Sequence, residues 1–256
     1  MLSSSQHELI RLSLPMMGQI GLQRLVRTVN IVLLGRSADG ARALGPVSLA
    51  SSVNVILASS LAMGLGTAVA TLSAQAAGCD DGAERDASLR RVFHAIFPLA
   101  FVFSLPAVFV LLLLEPLLLT IGMEADFAAR AGTYARVVAP LATLMCVRAS
   151  PTTWLRAQPV VKPNFYITLA VTPLTFTPSY VLIRHSRLGY LGAAISVLLQ
   201  AICEIILTLA YASTMPALSR DRGGLWPRAH ERTVAHMAPC WSMLLRLGVG
   251  GALVNS

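Results

Sequence analysis

The feature that most limits how this chain can fold is a long segment without charge. The range 44–77 holds 34 residues and no lysine, arginine, aspartate or glutamate. About 20 apolar residues suffice to cross a bilayer as a helix, and only helices or closed barrels satisfy the backbone polar groups there. At a rise of about 1.5 Å per residue a helix of this length exceeds the bilayer. It must therefore tilt, project from the membrane, or break near Gly64 and Gly66.

The composition extends this conclusion to the whole chain of 256 residues. Hydrophobic residues make up 55%, charged residues make up 12%, and the mean hydropathy is +0.67, whereas soluble domains are about a quarter charged. Apolar segments bounded by charges predict an all-α, polytopic transmembrane helix bundle. The predicted spans, six complete and one partial, are 9–35, 44–77, 92–119, 131–147, 163–183, 188–212 and 237–256.

The net charge of +8 is distributed in a pattern typical of membrane orientation. Eleven basic residues fall in the N-terminal tail and the second, fourth and sixth connections, and six fall in the alternate connections. Positive charge favours the cytoplasmic side, so we expect a cytoplasmic N-terminus. The basic residues are dispersed rather than gathered into one patch, so the sequence predicts no nucleic-acid partner.

The sharpest candidate for function is a carboxylate inside a span. Glu204 lies about midway along 188–212, where an ionised carboxylate costs roughly 2.5–3.5 kcal/mol on insertion scales. Gln200 precedes it by one helical turn on the same face. Two interpretations are open: Glu204 is a protonatable or cation-binding site, or it is the structural partner of Arg24 and Arg27 in the first span.

Uncharged polar side chains also fall within the apolar spans. Such groups either hydrogen-bond between helices or line a cavity. Together with Gln200, the candidate cavity-lining residues are Gln19, Gln23, Asn30, Asn54 and Gln75.

Signatures of soluble enzymes are missing from the sequence. The motifs G-x-x-x-x-G-K-[ST], H-E-x-x-H and G-x-S-x-G do not occur. The four cysteines are far apart and include no C-x-x-C pair, so neither a disulfide framework nor a zinc site is indicated. We therefore expect no enzyme, no metal and no cofactor, and any transport must use an ion gradient or a partner.

The second span and its neighbours carry a recognisable series of residues. The segment LGPVSLASSVNVILASSLAMGLGTAVATLSAQAAG resembles a helix of the multidrug and toxic compound extrusion (MATE) family. The matching positions are Leu44, Ser48, Leu49, Ala50, Gly64, Thr71, Leu72, Gln75, Ala76 and Gly78. Further matches are Pro15, Gly35, Tyr134, Pro140, the segment TTWLRAQPVVKP at 152–163 and the segment LGYLGAAIS at 188–196. Their order and spacing together resemble this family, and more closely its eukaryotic branch.

The resemblance implies a cation-coupled antiporter of twelve helices, built as two six-helix lobes with the substrate between them. It places residues 1–212 in the N-terminal lobe, 213–235 in a cytoplasmic linker and 236–256 in the start of a truncated seventh helix. The second lobe would then be missing from this chain. Bacterial members carry an acidic residue in the first helix where this sequence has Asn30, and the seventh-helix glutamate expected of eukaryotic members does not occur before Ser256.

From this resemblance we expect a secondary antiporter, present as an N-terminal fragment. It would export organic cations or other amphipathic small molecules in exchange for protons or sodium. Its location would be the lipid bilayer of the plasma membrane or of a vacuolar or other organellar membrane. The alternatives are a flippase for lipids or lipid-linked oligosaccharides, which a basic cavity at Arg24 and Arg27 would favour, and a fragment that does not transport.

Overall fold

The chain folds into α-helices joined by short connections. The computed structural model describes residues 4–36, 40–157, 162–184, 190–215 and 218, and these ranges contain no β-strand. The helices are α1 (Ser4–Gly35), α2 (Gly40–Ala77), α3 (Gly82–Leu112), α4 (Leu114–Thr120), α5 (Ala125–Ala157), α6 (Lys162–Arg184) and α7 (Leu191–Ala212). The all-α fold expected from the sequence is confirmed. The predicted linker 213–235 and the predicted start of a seventh span, 236–256, lie outside the described residues except for 213–215 and 218.

Four of these helices are both long enough and apolar enough to cross a membrane. They cover Arg42–Ala77, Gly82–Leu112, Pro163–Leu182 and Leu191–Ala212. The helices α1 and α5 have 32 and 33 residues, so they are also long enough. Charged residues such as Arg24 and Arg148 interrupt their apolar sequence. The six complete spans expected from the sequence thus correspond to six long helices, of which α1 and α5 are the more polar.

The charge-free segment forms one uninterrupted helix. The helix α2 continues through Gly64 and Gly66 to Ala77, so the break predicted as one option near these glycines is wrong. Each glycine weakens a helix by about 1 kcal/mol, but a broken helix in lipid would leave backbone groups without partners. Gly66 faces α5, where a Cβ atom at this position would lie in ordinary contact, 3.4 Å from Oγ1 of Thr153.

The third predicted span, 92–119, is divided between two helices. The helix α3 ends at Leu112, and α4 begins at Leu114. Pro116 explains the break, because its nitrogen cannot donate to the carbonyl of Leu112 and its ring collides with that carbonyl. The turn after α4 contains Gly122 with a φ of 87°, a conformation that glycine adopts at little cost.

An ion pair and a close contact hold α4 against α5. Nη2 of Arg136 donates a hydrogen bond to Oε2 of Glu115 over 2.6 Å. Gly132 lies one turn before Arg136 and leaves room for the Glu115 side chain, since a Cβ atom at 132 would lie 2.5 Å from Cβ of Glu115. A glycine and an arginine on one face of α5 therefore position the short helix.

The residues group into two compact units. Unit 1 comprises Met1–Leu57, Pro106–Leu144 and Val161–Glu204, and unit 2 comprises Ala58–Leu105, Met145–Val160 and Ile205–Ser256. Each unit contains parts of several helices, because the boundaries fall within α2, α3, α5 and α7.

The core of unit 2 is built around Trp154 of α5. Its side chain is 0% exposed, and its indole Nε1 donates a hydrogen bond to the carbonyl oxygen of Leu89 on α3 over 3.0 Å. The ring of Phe93 meets the indole edge-on, with centroids 5.1 Å apart. Leu65 and Val69 of α2 belong to the same buried cluster. The side chain of Trp154 thus joins α5 to α3 within unit 2, through one hydrogen bond and one ring contact.

Close helix contacts in unit 1 depend on glycine. The helix α1 packs against α6, and a Cβ atom on Gly18 would lie 2.7 Å from the ring of Phe165. A Cβ atom on Gly192 of α7 would lie 2.5 Å from the carbonyl oxygen of Leu182 on α6. A ring can rotate away from an added methyl group, but a backbone carbonyl cannot move without shifting its helix. The α6–α7 contact therefore requires glycine at position 192.

This requirement predicts the effect of Gly192→Ala. The added methyl group must separate α6 from α7, and overpacking of this kind costs about 1–3 kcal/mol. Thermal unfolding of the purified chain in detergent measures the loss. Gly21→Ala is the matched control, because a Cβ atom at Gly21 meets nothing within 4 Å, and we expect it to be neutral or slightly stabilising. Equal destabilisation by the two substitutions would contradict the packing argument.

The buried indole generates a second stability prediction. Trp154→Ala should lower the free energy of unfolding by about 3–5 kcal/mol, because it leaves a large cavity in the core of unit 2. Trp154→Phe should cost less, since it keeps most of the apolar volume and loses mainly the hydrogen bond to Leu89. Phe101→Ala, on a side chain that is 57% exposed, serves as control. A loss at Phe101 as large as that at Trp154 would show that burial does not determine the effect.

Candidate functional site

The candidate site is built around the carboxylate of Glu204 on α7, within unit 1. The side chain is buried, with 3% exposure, and Oε1 accepts a hydrogen bond from Nε2 of Gln200 over 3.1 Å. Gln200 is half-buried and lies one helical turn earlier, as the spacing in the sequence predicts.

A row of buried polar residues follows α6, the helix next to α7 in unit 1. Each member is at most 5% exposed, and the spacings of four, four, three and four residues place them on one helix face. We call this set the α6 polar row; its members are Asn164, Thr168, Thr172, Thr175 and Ser179. The hydroxyl of Thr172 donates to the carbonyl of Thr168 over 2.7 Å, and that of Thr175 donates to Val171 over 2.8 Å. Because these protons are directed to the backbone, the hydroxyl oxygens remain available as acceptors.

Helix geometry puts two members of the α6 polar row, Thr168 and Thr172, at about the depth of Glu204 in unit 1. Six residues separate α6 from α7, and so short a connection makes the two helices antiparallel neighbours. Gly192 lies against Leu182. Counted from that contact at about 1.5 Å per residue, Glu204 reaches the level of Thr168 and Thr172. By this count the hydroxyl oxygens of Thr168 and Thr172 lie at about the same level along the helices as the carboxylate of Glu204.

The helix α1 adds amide groups on one face. Gln19 and Asn30 are each 7% exposed, and Gln23, which shares their face, is half-buried. Neither the nitrogen nor the oxygen of the Asn30 amide has a hydrogen-bond partner among the described residues. The same is true of two further atoms, which also have no hydrogen-bond partner among the described residues. They are Oδ1 of Asn54, a residue of α2 that is 2% exposed, and Oγ of Ser179. Buried polar atoms of this kind are where ordered water or a cation binds.

Two of the predicted residues, Gln75 and Arg24, do not belong to this buried set. Gln75 is exposed and lies in unit 2, near the end of α2. Arg24 is exposed and forms no ion pair with Glu204, so the predicted pairing is wrong for this arginine. The reason is helical geometry: Arg24 is five residues from Gln19, which turns its side chain about 140° away from the buried face. The side chain of Arg27 lies outside the described part of the chain.

The α6 polar row is absent from the sequence-based prediction, although a signal for it exists. The candidates predicted from the sequence are charged and amide side chains, whereas four of the five members of the row are threonine or serine. Their helical spacing within the predicted span 163–183 is the usable signal. A single hydroxyl residue is common in membrane helices, but four of them along one face indicate a polar interior.

Long apolar helices that enclose buried polar side chains are typical of polytopic membrane proteins. Polar and ionisable side chains inside such a bundle are typical of transporters. The family model MatE matches residues 15–181 of the chain. The chain belongs to the MatE family, whose members are membrane transporters. The family resemblance seen in the sequence is confirmed.

Curated relatives come from plants and bacteria. Protein DETOXIFICATION 13 of Arabidopsis thaliana is 30% identical over 188 residues, which cover 73% of this chain and 38% of that protein. Protein DETOXIFICATION 17 of Arabidopsis thaliana is 25% identical, with 86% of this chain and 45% of that protein covered. The probable multidrug resistance protein NorM of Rhizobium meliloti (strain 1021) is 29% identical, with 82% and 44% covered. The chain spans less than half the length of each of these relatives.

Solved structures show the same fold. The crystal structure of the eukaryotic MATE transporter AtDTX14 superposes with a TM-score of 0.81 at 19% identity, over 96% of this chain and 52% of that one. An outward-facing multidrug resistance MATE family transporter of the MOP superfamily superposes with a TM-score of 0.74 at 20% identity, over 95% and 51%. The described helices therefore have the fold of about half of a MATE transporter.

Proposed function

We propose that the chain is the N-terminal half of a secondary antiporter that exports organic cations or other amphipathic small molecules in exchange for protons or sodium. Glu204 is the proposed coupling residue. The observation that carries this proposal is the buried carboxylate of Glu204 in a unit whose α6 helix bears a row of buried polar side chains. The membrane in which it acts is the plasma membrane or a vacuolar or other organellar membrane.

The chemistry of the site supports a cationic coupling partner. An ionised carboxylate in a membrane interior is costly unless a positive charge accompanies it. A proton on Glu204 removes the charge, and a sodium ion compensates it with help from neighbouring oxygens of hydroxyl and amide groups, which are hard ligands. Gln200 fixes one carboxylate oxygen by its 3.1 Å hydrogen bond. The loaded and empty states of Glu204 therefore differ in charge, which lets the ion bias one transporter conformation over another.

The same interior favours a cationic over an anionic substrate. In the described part of unit 1, Glu204 is the one buried residue among the aspartates, glutamates, histidines, lysines and arginines. The flippase alternative rested on a basic cavity lined by Arg24 and Arg27. Arg24 is exposed and turned away from the buried face, which weakens that alternative.

Substitution of the coupling residue tests the proposal. In the chain joined to a second lobe, Glu204→Gln should reduce gradient-driven efflux of a fluorescent organic cation by about tenfold, within the range of typical coupling free energies. Membrane insertion and protein level should stay unchanged, since glutamine keeps the shape and the capacity to bond with Gln200.

Glu84→Gln is the matched control, because Glu84 is exposed at the start of α3. It undergoes the same chemical change and should leave efflux intact. Reduced protein level with Glu204→Gln would indicate a structural carboxylate instead. Unchanged efflux at unchanged protein level would contradict a coupling role.

A further prediction concerns the dependence of transport on a second lobe. We expect no vectorial transport from vesicles that contain only the 256-residue chain, because the proposed substrate path requires a second lobe. Co-expression with, or fusion to, the C-terminal half of a MATE transporter should restore gradient-dependent efflux. Strong efflux by the chain alone would overturn this expectation and would indicate that two copies form the path.

A further inference from the structure

An arginine lies near the middle of α1. In the sequence Arg24 is about as far from Arg11, near the start of this helix, as from Arg36, directly after its end. At about 1.5 Å per residue, the backbone of Arg24 is roughly 18–20 Å from each of them. The hydrocarbon core of a bilayer is about 30 Å thick. Because α1 corresponds to the first predicted span, Arg24 lies near the middle of this core.

The arginine belongs to an exposed polar face of α1. Gly21, Arg24 and Thr28 are all exposed, and spacings of three and four residues place them side by side. The hydroxyl of Thr28 donates a hydrogen bond to the carbonyl oxygen of Arg24 over 3.1 Å. A Cβ atom at Gly21 would meet nothing within 4 Å, so there is open space beside the arginine. We call these three residues the α1 polar face.

Apolar side chains continue the α1 polar face in both directions along the helix. Met17 and Ile31 are exposed, and helical geometry turns each of them only about 20° from Arg24. Leu25 is also exposed, but it points about 100° away from Arg24 at almost the same depth. The exposed surface of α1 therefore has an amphipathic side around Arg24 and an apolar side at Leu25.

The charge of Arg24 decides what the α1 polar face meets. On insertion scales an arginine at the centre of a membrane helix costs roughly 2.5–3.5 kcal/mol, so such residues face the bundle interior or a water-filled cavity. Arg24 is exposed and therefore does not lie in the interior of unit 1. Arginines near helix ends reach the headgroups, but Arg24 is too far from both ends. A water-filled cavity is the environment that suits this face.

In a transporter, a water-filled cavity at this depth is the substrate path, so the inference rests on the proposed function. We propose that the α1 polar face lines this path and that the guanidinium of Arg24 binds an acceptor oxygen of the amphipathic substrate. A guanidinium group has five N–H donors and no acceptor, and it binds planar oxygen groups through paired hydrogen bonds. Met17 and Ile31 offer apolar surface to the rest of the same molecule. An organic cation can carry such an oxygen in an ester or amide group.

Labelling of single cysteines tests whether this face meets water. The chain is joined to a second lobe, its native cysteines are replaced by alanine, and it is reconstituted in lipid nanodiscs, which reagents reach from both sides. Thr28→Cys should react with a positively charged methanethiosulfonate reagent about 70-fold faster than Leu25→Cys, from the roughly 2.5 kcal/mol cost of a charge within the bilayer. Leu25→Cys is the matched control, because Leu25 is also exposed but lies on the apolar side of α1.

The charge of Arg24 should be visible in the same reaction. Thr28 is four residues from Arg24, or about 6 Å along the helix, where a unit charge in water is worth about 0.7 kcal/mol. Arg24→Gln should therefore slow a negatively charged reagent at Thr28→Cys about threefold and accelerate a positively charged one about threefold. An unchanged ratio of the two rates would show that Arg24 and Thr28 do not share a cavity, and the proposal would fail.

Protection from labelling tests the contact with substrate. Rhodamine 6G, an organic cation with an ester group, should slow the labelling of Thr28→Cys. Arg24→Gln should raise the concentration needed for half protection about tenfold, from roughly 1.5 kcal/mol for a hydrogen bond to a charged group. Any protection by tetraphenylphosphonium, a cation without oxygen, should stay unchanged. Equal losses for the two cations, or no protection by rhodamine 6G, would overturn the proposed contact.

Two further results would overturn the proposal. Equal labelling rates at Thr28→Cys and Leu25→Cys would show that the two sides of α1 have the same surroundings. Labelling of Thr28→Cys in the 256-residue chain alone, but not in the chain joined to a second lobe, would show that the second lobe covers this face. Because none of these measurements needs an ion gradient, a failure of Glu204 as coupling residue leaves them unaffected, and the two proposals fail separately.

Discussion

Backbone polarity in an apolar solvent is the constraint on which the rest of this structure depends. Inside a bilayer every N–H and C=O group must find its partner within the protein, and the helix provides it locally. This is why α2 continues through Gly64 and Gly66, where an aqueous helix would be weakened. It is also why the chain breaks after Leu112, near the predicted end of the third span, where Pro116 removes a donor.

Once the helices exist, their association cannot rely on the hydrophobic effect alone, because lipid tails are as apolar as leucine. Close approach then becomes the source of stability. Gly18 admits the ring of Phe165, and Gly192 lies against the carbonyl of Leu182. These two contacts bring α1, α6 and α7 together in unit 1.

Much of this arrangement could be predicted from the pattern of the sequence. The six complete spans correspond to six long helices, and the spacing predicted that Gln200 and Glu204 share a helix face, on which the structure shows a hydrogen bond between them. The MATE fold is recovered although the neighbouring structures share only 19–20% identity with the chain. The lengths of the apolar segments and the positions of small residues can persist at such low identity, because many different apolar side chains are suited to burial or to contact with lipid.

By itself, the sequence determined the class, the spans and the family, since these follow from hydropathy and residue order. Only the tertiary structure decided which polar residues share an interior. It left Arg24 exposed, put Gln75 in another unit than Glu204, and buried the hydroxyls along one face of α6. The physical reason is that helix rotation and contact depth are set by a few close contacts between distant residues, such as Gly192 with Leu182. Local periodicity defines a face of a helix, but only packing decides what that face meets.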